Sequence, residues 1–247
     1  GWQGAGVCAT ATSAQADSVV YLDRRLWEGW ASLAYLIPAT ERLVLIDPAN
    51  PPARVAEERD IAIYCWPYAD SNAVWGLVPA NRLIMVRAGS KERGDLETEA
   101  RLLYVKYTAS RQQTPRQLAA PFEGGIILWD ADITALAPDR LLVRLYWEAQ
   151  APITASYTVF VHVRRGEQML GQDDSLPGLG RYPTHRWRMG DVLADEHVIA
   201  LSTPCQTGDE VWVGLYQLES QQRLPVLSAA GTPLGDHVVL SNPCQTD

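Results

Sequence analysis

Phenylalanine is scarce in this chain: two residues, against nine tryptophans and ten tyrosines. Aromatic mass is therefore carried by side chains that pair a flat apolar face with a polar handle. That suits sugar stacking, interfaces and membrane-surface contact as well as half-buried strand positions. Positive charge is short too, with 21 Lys and Arg against 29 Asp and Glu, a net charge of −8 and a pI near 5.0. Neutralising a phosphate backbone needs basic surface, so nucleic acid is excluded as a partner. No apolar run approaches the roughly 18–20 residues that span a bilayer. The longest, ASLAYLIPA (31–39) and IAIYCWPYA (61–69), are short and interrupted by proline. GWQGAGVCATATSAQADS at the start lacks a charged region followed by an apolar core, so no signal peptide is expected there. As it stands the chain reads as soluble, whether whole or a piece of something that is not.

Chemical motifs are missing as well. There is no CxxC and no HExxH, so cysteine and histidine spacing gives no zinc signature. GAG at 4–6 has no strand before it and no helix after it, and GLG at 178–180 lies among β-like segments, so neither reads as a phosphate loop. No serine sits in a GxSxG elbow. No cofactor and no metal are expected.

What is present is strand pattern. In the first half, SVVYLD (18–23), RLVLID (42–47), DIAIYCWPY (60–68), RLIMVRAG (82–89) and ARLLYVKYTA (100–109) are apolar strand segments. RLWEGWASLAYLIP (25–38) carries Leu26, Trp30, Leu33 and Ile37 at helical spacing, and SNAVWGLVP (71–79) opens on a good N-cap serine. Strands flanked by helices predict a small three-layer α/β domain over residues 1–110, with a mostly parallel sheet. SRQQTPRQLAAP has no sustained apolar period, and residues 111–121 are expected to be a linker. Beyond it come eight strand-like segments: GIILWDADI, RLLVRLYWEAQ, SYTVFVHVRRG, QMLGQDD, DVLADEHVIAL, EVWVGLYQL, RLPVLS and DHVVL. They are broken by Gly, Pro and Asp and predict an antiparallel β-sandwich, Ig-like or jelly-roll-like, over residues 122–247.

Candidate sites follow from residue type and spacing. PTHRWRMGD (183–191) gathers His185, Arg186 and Trp187 in a turn, as an Arg/His/Trp patch for a sugar or anion or simply as a decorated bend between strands. Trp212 is a second ring placed for sugar stacking. The acid pairs Asp130/Asp132, Asp173/Asp174 and Asp195/Glu196 invite comparison with the two carboxylates of a glycosidase, but turn and strand-end chemistry accounts for them more simply. PCQT occurs twice, at 204–207 and 243–246, each time after a strand-like segment. Equivalent strand ends can bring Cys205 and Cys244 within bonding range, with two free thiols as the alternative. A bond there predicts an oxidising, extracytoplasmic compartment.

Three segments together carry a family resemblance: LLVRLYWEAQAPITASYTVFVHV, GQDDSLPGLGRYPTHRWRMGDVLADEHVIAL and EVWVGLYQLESQQRLPV. Through Tyr146–Trp147, Tyr157 to His162, Gln172, Asp174, Pro177, Pro183–Thr184, Trp187, Gly190, Asp195 and Arg223–Val226, the chain resembles the β-rich tail of some bacterial multi-pass GT-C-class glycosyltransferases. Those proteins are similar to dolichyl-phosphate-mannose–protein mannosyltransferases. DIAIYCWPY and ERGDLETEARLLYVKY resemble the part that joins the membrane bundle to that tail. The resemblance implies an extracytoplasmic region, anchored through an N-terminal membrane bundle of the same polypeptide, that contacts a glycan or a polyprenyl-linked sugar. The transferase's catalytic acid lies among membrane helices, so no catalytic residue is implied here. A free-standing carbohydrate-binding or surface-adhesion protein is the alternative, resting on the Trp and Tyr excess.

Overall fold

The structure, a computed structural model, describes residues 18–30, 33, 43–50, 52, 59–68, 70, 72–93, 98–111, 116–241 and 244. It is β-rich and divides into two compact units, Gly1–Gln112 and Gln113–Asp247.

In the first unit β1 (Ser18–Asp23) is buried along its whole length, which is why it reads as an unbroken apolar run. It pairs in parallel with β2 (Leu43–Ile46) on one side and β3 (Asp60–Cys65) on the other. β7 (Val105–Ser110) then runs antiparallel to β3 and to β4 (Leu83–Ala88). The sheet is therefore mixed, a correction to the mostly parallel arrangement expected from the sequence. The cause lies between β4 and β7: instead of a crossover helix, that segment carries the short pair β5 (Lys91–Glu92) and β6 (Arg101–Leu102), so the chain returns as a hairpin. ARLLYVKYTA, expected as one strand, is split between β6 and β7.

Among the described residues the first unit has one α-helix, α1 (Arg24–Gly29), capped by Asp23, whose carboxylate accepts the Arg25 N–H at 3.0 Å. The expected helix over 25–38 is described only to Trp30 and at Leu33; its remainder lies outside the described residues. Leu26 and Leu33 pack with Val20, Leu22, Tyr64 and Tyr104 as a core. The SNAVWGLVP segment forms a 3-10 helix, Asn72–Leu77.

The second unit holds two antiparallel sheets. One runs β16 (Pro233–Gly235), β15 (Val226–Leu227), β8 (Ala120–Phe122), β9 (Ile126–Ala137), β10 (Arg140–Ala149) and β13 (Val192–Ala200). The other runs β12 (Gln168–Ser175), β11 (Thr158–Arg165), β14 (Glu210–Tyr216) and β17 (Val238–Ser241). All eight expected strand segments of this half are present. The stretch expected as a linker is described from Arg116 onward, and there it is packed. The Arg116 guanidinium lies 4.4 Å from the Trp129 ring, Leu118 donates to the Trp129 carbonyl, and Ala120 and Pro121 already pair with β9.

Alternation decides the core. Val159, Val161 and Val163 of β11 stand opposite Leu215, Val213 and Val211 of β14, all without exposure. Leu141, Val143, Leu145 and Trp147 form the matching buried face of β10. In register with them, the same face of β13 carries Ile199, His197, Asp195 and Leu193. Two of those four positions are ionisable, and this is the unusual feature of the core. Cys205 and Cys244 form a disulfide, with their Cα atoms 5.8 Å apart. Closing a loop of that separation stabilises the fold by about 4 kcal/mol on the chain-entropy account. Among the described residues no helix is long and apolar enough to cross a membrane.

Candidate functional site

The turn PTHRWRMGD is built from the inside. Thr184 is fully buried, donating to the Ala155 carbonyl at 2.7 Å and accepting from the Tyr157 N–H at 3.0 Å. Trp187 is 7% exposed, and its indole N–H donates to the Tyr182 carbonyl at 2.8 Å. Asp191 accepts from Arg188 Nε at 2.6 Å and from the Tyr182 hydroxyl at 3.2 Å. Burial and the neighbouring Asp191 charge push the Tyr182 phenol up to about 12, so it stays a donor throughout the physiological range. His185 is exposed and shares a 2.6 Å hydrogen bond with Ser156 Oγ, and Arg186 is half-buried. The sequence groups His185, Arg186 and Trp187; the structure turns the Trp inward and leaves only His185 and Arg186 toward solvent.

Trp212 belongs to a different surface, the outer face of β14. The His237 ring stacks on it at 4.0 Å with planes 19° apart, Arg164 lies 4.5 Å from the ring centroid, and Glu210 accepts from its indole N–H at 2.9 Å. Its ring is already covered by a cation and an imidazole, which leaves little of it for a sugar.

Two of the acid pairs, Asp173/Asp174 and Asp195/Glu196, are separated by the strands that carry them, because residues adjacent along a strand project from opposite faces, whereas Asp130 and Asp132, two apart on β9, share a face opposite Tyr146 and Arg144. Asp195 points into the core, accepting from the Gly178 N–H at 2.9 Å, while Glu196 takes Arg144 on the outer face at 2.7 Å. Asp173 faces inward and Asp174 outward, where it meets His162 at 3.0 Å. Asp132 accepts the Tyr146 hydroxyl at 2.7 Å, and Asp130 takes backbone N–H groups of Gln117 and Ala131. Each of these carboxylates is already taken up by a partner of the fold.

The buried cluster that sequence reading missed is Asp173–His197–Asp195. His197 Nδ1 lies 2.6 Å from Asp173 and Nε2 lies 3.1 Å from Asp195. Both ring nitrogens face carboxylates, so both must donate, and the ring is an imidazolium. Burial alone would push His197 down; the Asp195 charge and the two hydrogen bonds outweigh it and raise the group to about 9. The same hydrogen bond holds Asp173 below the usual carboxylate range, against the effect of its own partial burial. A signal for this cluster exists in DVLADEHVIAL, where Asp195 and His197 alternate in step with Leu193 and Ile199.

Cys205, Asp209 and Cys244 bring donor atoms within 4.8 Å of one another. The cysteines are bonded to each other, and Asp209 is held by Arg165 at 2.7 and 2.9 Å and by the Gln206 N–H. The group is a stapled corner. Cys65 is a buried cysteine that packs as a small apolar side chain, and Cys8 lies outside the described residues.

A second feature missed from the sequence is a cavity of about 320 Å³ in the second unit. It is lined by Glu123, Gly124, Tyr157, Gln217, Gln222 and Arg223, with Leu224 and Pro225. Four separate segments of sequence contribute, and nothing local marks it. Comparison of the sequence with protein-family models and with curated proteins gives no match.

Proposed function

We propose that this chain is the non-catalytic, extracytoplasmic region of a membrane glycosyltransferase that uses a polyprenyl-phosphate sugar donor. Its partners are then the membrane domain of the same polypeptide and a glycan or lipid-linked sugar. On this reading the first unit is the α/β segment that joins the membrane bundle, and the second is a β-sandwich of Ig-like or jelly-roll-like kind. The observation that carries it is the use to which the resembling residues are put. Thr184, Trp187 and Asp195 are buried and hydrogen-bonded inside the second unit, and Arg223 stacks on Phe160 at 4.3 Å. Gly214 permits that stack: a Cβ there would meet the Phe160 ring at 2.5 Å. A pattern made of such residues describes an architecture rather than an active site. The Cys205–Cys244 disulfide supports the oxidising side of a membrane.

A free-standing glycan-binding or adhesion protein is the second reading. Burial of Trp187 and the covered Trp212 ring remove two of the aromatics on which it rested, and the 320 Å³ cavity is what now favours it. The experiment that separates the two is to read the coding frame upstream of Gly1 in its source genome. Several hydrophobic spans in frame support the transferase; an immediate start codon or cleavable signal peptide overturns it.

A further inference from the structure

We propose that the cavity between the turn at 123–125 and the loop at 217–225 is a binding site for one neutral pyranose residue, such as the terminal sugar of a glycan. The inference deepens the glycan contact included in the proposed function by naming its site and ligand class.

Unengaged hydrogen-bonding groups line the cavity. Among the described residues nothing bonds the Glu123 carboxylate, the Tyr157 hydroxyl or the Gln222 carboxamide. Gln217 uses its carbonyl oxygen to accept from Ser220 at 3.2 Å and keeps its amide N–H groups. Arg223 gives Nη1 to Asp236 at 3.0 Å and lays its plane over Phe160, so its position is fixed while Nε and Nη2 have no partner among the described residues. Fixing a guanidinium by stacking and one ion pair limits the entropy lost when its other donors bind a ligand.

The rim is held by the backbone as well. Glu123 donates its N–H to the Pro225 carbonyl at 2.9 Å, tying the turn to the loop, and Gln217 and Gln222 join across the loop by an N–H to carbonyl bond of 2.9 Å. Tyr157 is anchored through its own N–H to buried Thr184. Gly124 has φ of +80°, a conformation that favours glycine, and an added Cβ would stand 3.8 Å from the Tyr157 hydroxyl, so the missing side chain leaves that side of the cavity open.

The ligand class follows from the lining. Planar carboxylate, carboxamide and guanidinium groups match pairs of adjacent hydroxyls, and a tyrosine ring with Leu224 and Pro225 offers an apolar surface for the C–H face of a pyranose. Glu123 disfavours a phosphate or a carboxylate, and Arg223 disfavours a cation, so the ligand that satisfies both is uncharged and rich in hydroxyls. The volume sits at the small end of ligand sites, which run from about 300 to 1,000 Å³.

The test uses the full chain, isotopically labelled, titrated with the methyl glycosides of glucose, galactose, mannose and N-acetylglucosamine. At least one should bind with Kd on the order of millimolar, with the largest amide shifts at Gly124, Tyr157 and Gln222. Gln222→Ala and Tyr157→Phe should each weaken binding about three- to tenfold, the loss of one hydrogen bond, with the rest of the spectrum unchanged. A flat titration for all four sugars overturns the proposal. So do shifts centred elsewhere, and so does binding that both variants leave intact. Tighter binding of glucuronic acid or glucose 6-phosphate than of the neutral glycosides would overturn the ligand class. These failures leave the upstream coding frame untouched, so the site and the transferase reading fall separately.

Discussion

The turn at 182–191 and the cavity rim at 123–124 and 217–225 are both polar, aromatic-bearing loops of the second unit. They differ in where their hydrogen-bonding capacity goes. In the turn, Thr184, Trp187, Arg188 and Asp191 are bonded to groups of their own neighbourhood, and the density of charge and aromatics serves as internal scaffolding. At the rim, Glu123, Tyr157 and Gln222 have less conspicuous sequence and more unengaged groups. A concentration of reactive residue types therefore measures polarity; a binding site is better read from donors and acceptors that a fixed backbone and a fixed Arg223 gather around one cavity without a partner.

The largest test of that contrast is Trp187→Ala. Truncating a buried indole that also carries a hydrogen bond should destabilise the fold by about 4 kcal/mol, read from denaturant midpoints. A loss under about 1 kcal/mol would mean that the turn is not the closed scaffold described.

Next comes Asp195→Asn. It removes one of the two anions that hold the His197 imidazolium in the core, and breaking a buried pair from one side costs about 3 kcal/mol. The same substitution at Glu196, one residue on and facing outward, should cost under about 1 kcal/mol because its pair with Arg144 is partly exposed. Equal losses at the two positions would contradict the opposite facing of neighbours on β13.

pH gives a smaller and graded effect. His197 is raised in the fold to about 9 against an ordinary 6.5, so its contribution is fully present below 6.5 and lost as pH rises through 9. A rise of that size corresponds to a loss on the order of 3 kcal/mol at most, spread over that window. Asp173 is depressed, so its contribution holds above about 4 and disappears as pH falls through its lower folded value. Stability should therefore peak between about pH 4 and 6.5, and a His197→Gln variant should lose the alkaline slope. An unchanged slope in that variant would assign the titration to another group.

How much of this was legible beforehand depends on range. Period-two alternation found eight of the ten strands described in the second unit, because a strand with one buried face leaves a local signal; the three-residue strands β8 and β16 were missed, being too short to show a period. Period two puts His162 on the face of β11 opposite to Val161 and Val163. It did not find that His162 is nonetheless buried, since Phe160 and Asp174 cover it from β11 itself and from β12. The mixed sheet of the first unit was misread because strand direction depends on the connection, and between β4 and β7 the chain carries the β5–β6 pair rather than the crossover a parallel neighbour needs. The repeated PCQT pointed correctly to Cys205 and Cys244. The sequence leaves Trp187 open between a patch ring and part of a decorated bend, because a turn can bury its aromatic as readily as present it. The cavity at 123–225 was beyond reach altogether: Glu123, Tyr157 and Gln222 come together only after β11 and β14 are paired.

The smallest expected stability effect is at that rim, and it sharpens the contrast most. Gln222→Ala removes an exposed carboxamide that bonds nothing among the described residues, while its backbone carbonyl keeps the bond from Gln217. Stability should change by less than about 0.5 kcal/mol. Residues that scaffold a fold lose stability when cut back, and residues that await a ligand do not. If Gln222→Ala melted the protein as Trp187→Ala is expected to, the rim would be scaffold too, and the distinction between the two loops would be gone. If stability is unchanged while sugar binding weakens, the rim has the signature of a site whose groups are poised for a partner outside the chain.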